Sequence, residues 1–504
     1  MLMRFTKRGG FTPPLRAALT AALLALPAAA CEGLLDVTDT DTTRDEFLEN
    51  TAAIPALRAA VITDFTAAYE LLLVYGGMLG DEYRFSETFP TRLEVDARDI
   101  DTNNGTMLGV FSSAATAGAT ADFVSARYDV ADPNSERFFQ RAEARTLGGY
   151  ALLALAENYC SGVPISRLTR SSGGDLEFRY GTAITTTEMV DSAIARFNQA
   201  LAIVAAGNAI PAANRLAEQS NAALLNQERL ARVGLARALL YRGNGDAAAA
   251  AAVVASVPTT YTYQLQHSAN SGGENSFPWF FNISNERVTV ASQEGDATVG
   301  GNVGLPYRAT RAGQPGGRDP RVLWLRRNNN NVGFDNSTPL FDALKYPTRT
   351  AFTVLASGVE ARLIEAEAAF RAGNGAGMLA ILNALRADVQ PLMQLLNADY
   401  VIQQAAVGYA PGQGAVLAPL VLPATAAGQR ALLFEERAYW LWVTGHRLAD
   451  MRRLVRQYGM AEDAVFPNGV HPKGVAYGDD MNLPIPVQEE NNPIGAGQCL
   501  NRDA

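Results

Sequence analysis

Lysine is almost missing from this chain of 504 residues: Lys7, Lys345 and Lys473 are the only ones, beside abundant arginine and alanine, the signature of a GC-rich genome. Histidine is as scarce, at His267, His446 and His471. No HExxH, no CxxC and no histidine cluster occurs, so the residues indicate no metal, structural or catalytic. Neither a GxSxG elbow nor a Walker loop is present. The formal net charge is -9, and an acidic surface argues against nucleic acid as a partner. Charge is absent altogether from 400 to 429, yet Pro411, Pro419, Pro423, Gly408, Gly412 and Gly414 would break any membrane-spanning helix there. That stretch reads as a long loop or loop pair inside the fold.

What is present begins at the N-terminus. Residues 1–16 carry Arg4, Lys7, Arg8 and Arg16 and no acid, and 17–30 form a short apolar run ending in Ala28, Ala29 and Ala30 before Cys31. This is the layout of a secretory signal, and its apolar run is too short to span a bilayer. The three alanines before cysteine resemble a lipobox. Residues 1–30 are therefore expected to be a lipoprotein signal peptide and Cys31 the lipid attachment site, with several acyl chains giving a stable anchor. The alternative is ordinary cleavage that leaves Cys31 a plain thiol. Cys160 and Cys499 remain; in an oxidising envelope they can form a disulfide or stay as two buried thiols.

Thr43 and Glu46 read as a capping box for a helix running to about 74, with a break at Pro55. Apolar residues three and four apart predict helices at about 135–160, 186–206, 219–242, 246–256, 352–372, 376–388 and 427–457. Two of the pairs look alike. ARALLYRGNGDAAAA from Ala236 aligns with AEAAFRAGNGAGMLA from Ala366 at a constant offset, each a helix, a Gly-Asn-Gly turn and a helix. Such pairs are the unit of tetratricopeptide-type arrays, or else two unrelated hairpins. Between them, about 258–350 is an irregular insertion rich in Gly, Asn, Ser, Thr and aromatics, with short strand-like runs such as ERVTVAS and a turn at Asn328–Asn331. Loops on a helical frame are where binding sites usually sit.

Several stretches, in order along the chain, carry a family resemblance: LLDVTDTDTTRDEFLEN, AENYCSGVPIS, TTEMVDSAIARFNQAL, NQERLARVGLARALLYRGN, Arg318-Asp319-Pro320-Arg321, LIEAEAAFRAGN, EERAYWLWVTGHRLADMRR and NLPIPVQEENNP. Together they resemble the SusD/RagB family over nearly the whole chain after Cys31. The resemblance implies a mainly α fold, tetratricopeptide-like helix pairs in a right-handed helical scaffold, as one domain over 31–504. It implies a lipid-anchored protein on the outer face of the outer membrane. Such a protein binds glycans, or in some relatives peptides, without altering them, and delivers them to a SusC-like TonB-dependent barrel. The residues leave two rivals: a periplasm-facing scaffold lipoprotein and an envelope hydrolase.

Sugars offer apolar C–H faces to aromatic rings and hydroxyls to polar side chains. The candidate ligand-binding residues are Tyr83, Tyr261, Tyr263, Trp279, Phe280, Tyr307 and Trp324. Glu436, Arg447 and Asp450 share one face of the expected last helix and read as a partly buried ion network rather than a catalytic site. Trp440 and Trp442, on the same helix, read as packing.

Overall fold

The computed structural model describes residues 48–170, 176–270, 272–291, 305–308, 318–326, 332–494 and 499–502. The leader at 1–30, Cys31, the Thr43–Glu46 cap and Asn328–Asn331 lie outside them, as does the side chain of Trp279.

Helix α1 spans Ile54–Leu79. Pro55 sits in its first turn, where a missing N–H costs nothing, so the proline opens this helix and does not break one. After the strand β1 (Tyr83–Phe85) and the short α2 (Pro90–Asp96) comes α3 (Gly105–Ala131), capped by Asn104 Oδ1, which accepts from the Met107 N–H at 3.0 Å. The sequence reading missed α3. Its buried stripe is written largely in small residues, Ala114, Ala117 and Ala121 among them. Then follow α4 (Phe138–Asn158), α5 (Thr186–Ala209), α6 (Asn221–Arg242) and α7 (Ala247–Val254). The last of the array are α8 (Gly358–Arg371) and α9 (Gly375–Ala387).

Each helix of the series α1, α3, α4, α5, α6, α7, α8, α9 packs on the next, giving four successive pairs. The Gly-Asn-Gly turns close the last two: Gly243, Asn244 and Gly245 all take positive φ in the first, Gly373 in the second. Glycine is also needed inside the array. A Cβ on Gly234 would collide with the Phe197 ring, around which α4, α5 and α6 converge. Among the described residues no helix is long and apolar enough to cross a membrane.

Between α4 and α5, β2 (Val163–Pro164) pairs with β5 (Ala183–Ile184) and β3 (Arg167–Arg170) with β4 (Leu176–Arg179), and further short antiparallel pairs stitch the insertion to the frame. β7 (Val288–Val290) pairs with β1, placing Val290 opposite Tyr83. β6 (Thr262–Leu265) pairs with β10 (Thr353–Ser357). Residues 353–357, expected as the start of a helix, are thus a strand, and Ser357 Oγ caps α8 by accepting from the Glu360 N–H. Between these, β8 (Trp324–Leu325) pairs with β9 (Asp342–Ala343). The uncharged stretch from 400 is a loop only in part. After α10 (Val389–Leu396) it opens as α11 (Tyr400–Ala406), and Tyr400 donates to the Pro320 carbonyl at 2.7 Å.

The expected helix over 427–457 is two helices, α12 (Ala426–Trp440) and α13 (Arg447–Tyr458). Between them Val443 and Gly445 take positive φ. Buried side chains from distant segments satisfy the freed backbone. Lys345 Nζ donates to Trp442 O and Tyr346 to Val443 O, each at 2.7 Å. Tyr69 donates to Thr444 O, and the Glu82 carboxylate accepts from Val443 N.

The helix break also splits the ion network read from the sequence. Glu436, on α12, accepts from Arg321 at 2.6 Å and Arg386 at 2.7 Å, and Arg321 also grips Asp319. Asp450, on α13, belongs to a second network with Arg437, Arg453 and Glu367. Arg447 joins neither; its Nε reaches the Gly80 carbonyl at 3.4 Å. The three residues are buried, but not as one charged face. Trp440 and Trp442 are core. Cys160, just past α4, is bonded to Cys499.

Candidate ligand-binding site

A groove of about 560 Å³ lies between α1, the α2–α3 corner and the segment 266–281. Glu70, in the middle of α1, is its polar centre. One carboxylate oxygen accepts from the Ser276 N–H at 3.0 Å and hydroxyl at 2.8 Å, and the other lies 3.0 Å from His267 Nε2. Burial pushes the Glu70 carboxyl up to about 7, and burial drives the His267 imidazole down to about 4. Between those pH values both groups are uncharged, and both sit nearly buried in the groove wall, the Glu70 side chain 5% and the His267 side chain 2% exposed.

At its α2 end the groove runs into a platform of aromatic rings and guanidinium groups. Phe280 and Arg92 belong to both. The Arg287 guanidinium lies over Phe280 at 4.2 Å, with Phe334 at 5.4 Å and Phe89 at 5.6 Å from it. Arg92 lies over Phe89 at 4.9 Å and Phe280 at 5.3 Å. The buried Glu87 carboxylate ties the two arginines together, accepting from Arg92 Nη1 at 2.7 and 2.8 Å and from Arg287 Nη1 at 3.3 Å. Burial pushes the Glu87 carboxyl up, against the pull of both arginines. Phe89 is 45% exposed and Phe334 48%.

Of the residues singled out from sequence, only Phe280 reaches this place. Tyr83 is fully buried against Phe277, because the β1–β7 pair is covered on both faces. Tyr307 is core, packed near Tyr439 and Trp442. Tyr261 is buried and donates to Asn226 O, and Tyr263 donates to Glu143. Tyr83, Tyr261 and Tyr307 serve packing, and Tyr263, only partly buried, is tied to Glu143. Trp324 is half-buried elsewhere, beneath Arg318 at 4.2 Å and edge-on to Phe341.

The residues missed were Phe89, Arg92, Arg287 and Phe334, with Glu70 and His267. The available signal was local. Phe89 precedes Pro90, and Phe334 sits between Gly333 and Asp335-Asn336, turn contexts that give a ring no helical stripe to join. Among the described residues no group of three or more His, Cys, Asp or Glu is placed to hold a metal.

No family model matches the chain, and no curated protein matches it. Solved structures do. A SusD superfamily protein from Bacteroides vulgatus superposes with a TM-score of 0.57 at 15% identity, covering 88% of this chain and 98% of that one. Surface glycan-binding protein A from Bacteroides uniformis gives 0.57 at 13% identity, over 88% and 99%. A SusD/RagB family protein from Bacteroides thetaiotaomicron gives 0.55 at 12%, over 87% and 95%. With four helix pairs in series and short strand pairs stitched to them, matched over most of its length, this chain has the SusD/RagB fold.

Proposed function

We propose that the protein binds oligomeric glycans on the Phe89–Phe280–Phe334 platform and in the adjoining groove. It does so as a lipoprotein anchored through Cys31 to the outer face of the outer membrane, and passes the ligand to a SusC-like TonB-dependent barrel. The carrying observation is the platform: exposed rings for the C–H faces of sugars, arginines at their side, and uncharged hydrogen-bonding groups in the groove behind. The likeness to a surface glycan-binding protein supports the same reading. The ligand is bound and handed on without bond-breaking.

A glycan array with the purified protein tests this. Wild type is expected to retain one class of oligosaccharide, and the double variant F89A/F334A to bind it at least about tenfold more weakly, since each ring is worth about 1 kcal/mol. Equal retention by the variant would remove the platform from the site. Mild-detergent purification should bring down a large barrel protein, and protease shaving of intact cells should cleave the chain. A partner-free, protected protein would sink the delivery role.

A further inference from the structure

We propose that Arg287 makes the site selective for saccharides bearing an anionic group, a carboxylate or a sulfate ester, on the unit that meets the platform. This rests on the glycan reading above and adds the ligand's charge.

The geometry is that of a cation left short of partners. Among the described residues Arg287 makes one side-chain hydrogen bond, from Nη1 to Glu87 at 3.3 Å, and that carboxylate is held more closely by Arg92 at 2.7 Å. Two guanidinium groups thus share one carboxylate. Arg287 Nε is buried without a hydrogen-bond partner, whereas Nη2 is unbonded and not buried. Two core arginines, by contrast, spend more of their donors on carboxylates. Arg321 spends Nε and Nη2 on Asp319 and Nη1 on Glu436. Arg237 meets Glu157 through both Nε and Nη2. Asp335, next to Phe334, is already taken by Lys473 and Thr338. Three rings hold the Arg287 guanidinium in place, so a ligand anion meets a positioned donor rather than a flexible one. A charge-assisted bond is about twice as strong as a bond to a neutral hydroxyl. Glu274 lines the groove beyond, so the anionic unit belongs at the arginine end and neutral units inside.

Calorimetry on the purified full-length protein with size-matched neutral, uronate-containing and sulfated oligosaccharides, at low and high NaCl, tests this. The acidic ligands are expected to bind about tenfold more tightly than the neutral one at low salt, and to lose that margin at high salt. The uronate and sulfate arms identify which anion is read. R287Q is expected to bring the acidic-to-neutral ratio close to one, whereas F89A/F334A weakens the neutral ligand as well. Neutral ligands binding as tightly as acidic ones in wild type would overturn the proposal and leave the glycan reading intact. So would a ratio unchanged in R287Q. If that variant does not fold, the wild-type salt dependence decides. If no oligosaccharide binds and an acidic peptide does, the glycan reading itself falls.

Discussion

Two regions of this molecule are built from the same parts, arginine, carboxylate and aromatic ring, and use them in opposite ways. In the network joining α8, α12 and α13, Arg437 meets Asp450 through two bonds of 2.8 and 2.9 Å, and Arg453 bridges Asp450 to Glu367. All four side chains are buried, and burial, which would raise the two acids, is outweighed by the arginines, so both stay below their ordinary values. On the platform two arginines share Glu87 and the rings stand partly in solvent. Where charges are matched and dry they lock helices together. Where donors outnumber acceptors at a surface, as around Glu87, some stay open to solvent.

The largest effect should come from unbalancing the locked region. R437M leaves Asp450 and Glu367 buried with one cation fewer, and is expected to cost about 3–5 kcal/mol in urea unfolding. R287M, the same change on the platform, should cost about 1 kcal/mol or less, because its partner is shared and the site is partly wet. Equal losses would erase the distinction. Next comes the covalent link. Replacing Cys160 and Cys499 by serine opens a bridge between residues 339 apart and should cost about 2–4 kcal/mol. Neither cysteine lines the groove, so ligand affinity should hold. A loss of binding at unchanged stability would tie the C-terminal tail to the site.

The locked half was the more legible in sequence. Gly-Asn-Gly turns mark the α6–α7 and α8–α9 pairs, because local chemistry sets them. Helix α3 escaped, since alanine fills much of its buried stripe and blurs the apolar period. The break between α12 and α13 escaped for another reason: Trp442, Val443 and Thr444 continue a plausible helix, and what holds them apart is Lys345, Tyr346, Tyr69 and Glu82 arriving from elsewhere in the chain. Candidate ligand rings were chosen for being aromatic within the insertion. Burial then claimed Tyr83, Tyr261 and Tyr307, while turn chemistry left Phe89 and Phe334 outside. Aromaticity does not say which ring is spare; the pairing of β1 with β7 does, and that contact lies about two hundred residues away in the chain.

The smallest effect tests whether the platform has its own lock. Phe334 is carried by a turn in which Asp335 accepts from Ser337 N at 2.7 Å, Thr338 N at 2.8 Å and Thr338 Oγ1 at 2.6 Å, and pairs with Lys473. Burial opposes ionisation of Asp335, but these donors outweigh it and hold the carboxyl at about 2, below its ordinary 3.8. A depressed acid stabilises the fold where it is ionised in both states, and the gain disappears as protons are taken up. The contribution should therefore be complete above about pH 4 and be lost as pH falls to about 2, amounting to about 1 kcal/mol once solvent screening is allowed for. D335N should flatten that part of the stability curve and leave the rest alone. The core acids also titrate at low pH, so the difference between wild type and variant is the quantity to read. A difference that stays constant from pH 4 to pH 2 would mean that the turn holds Phe334 without Asp335, and that the platform is ordered by its rings and arginines alone.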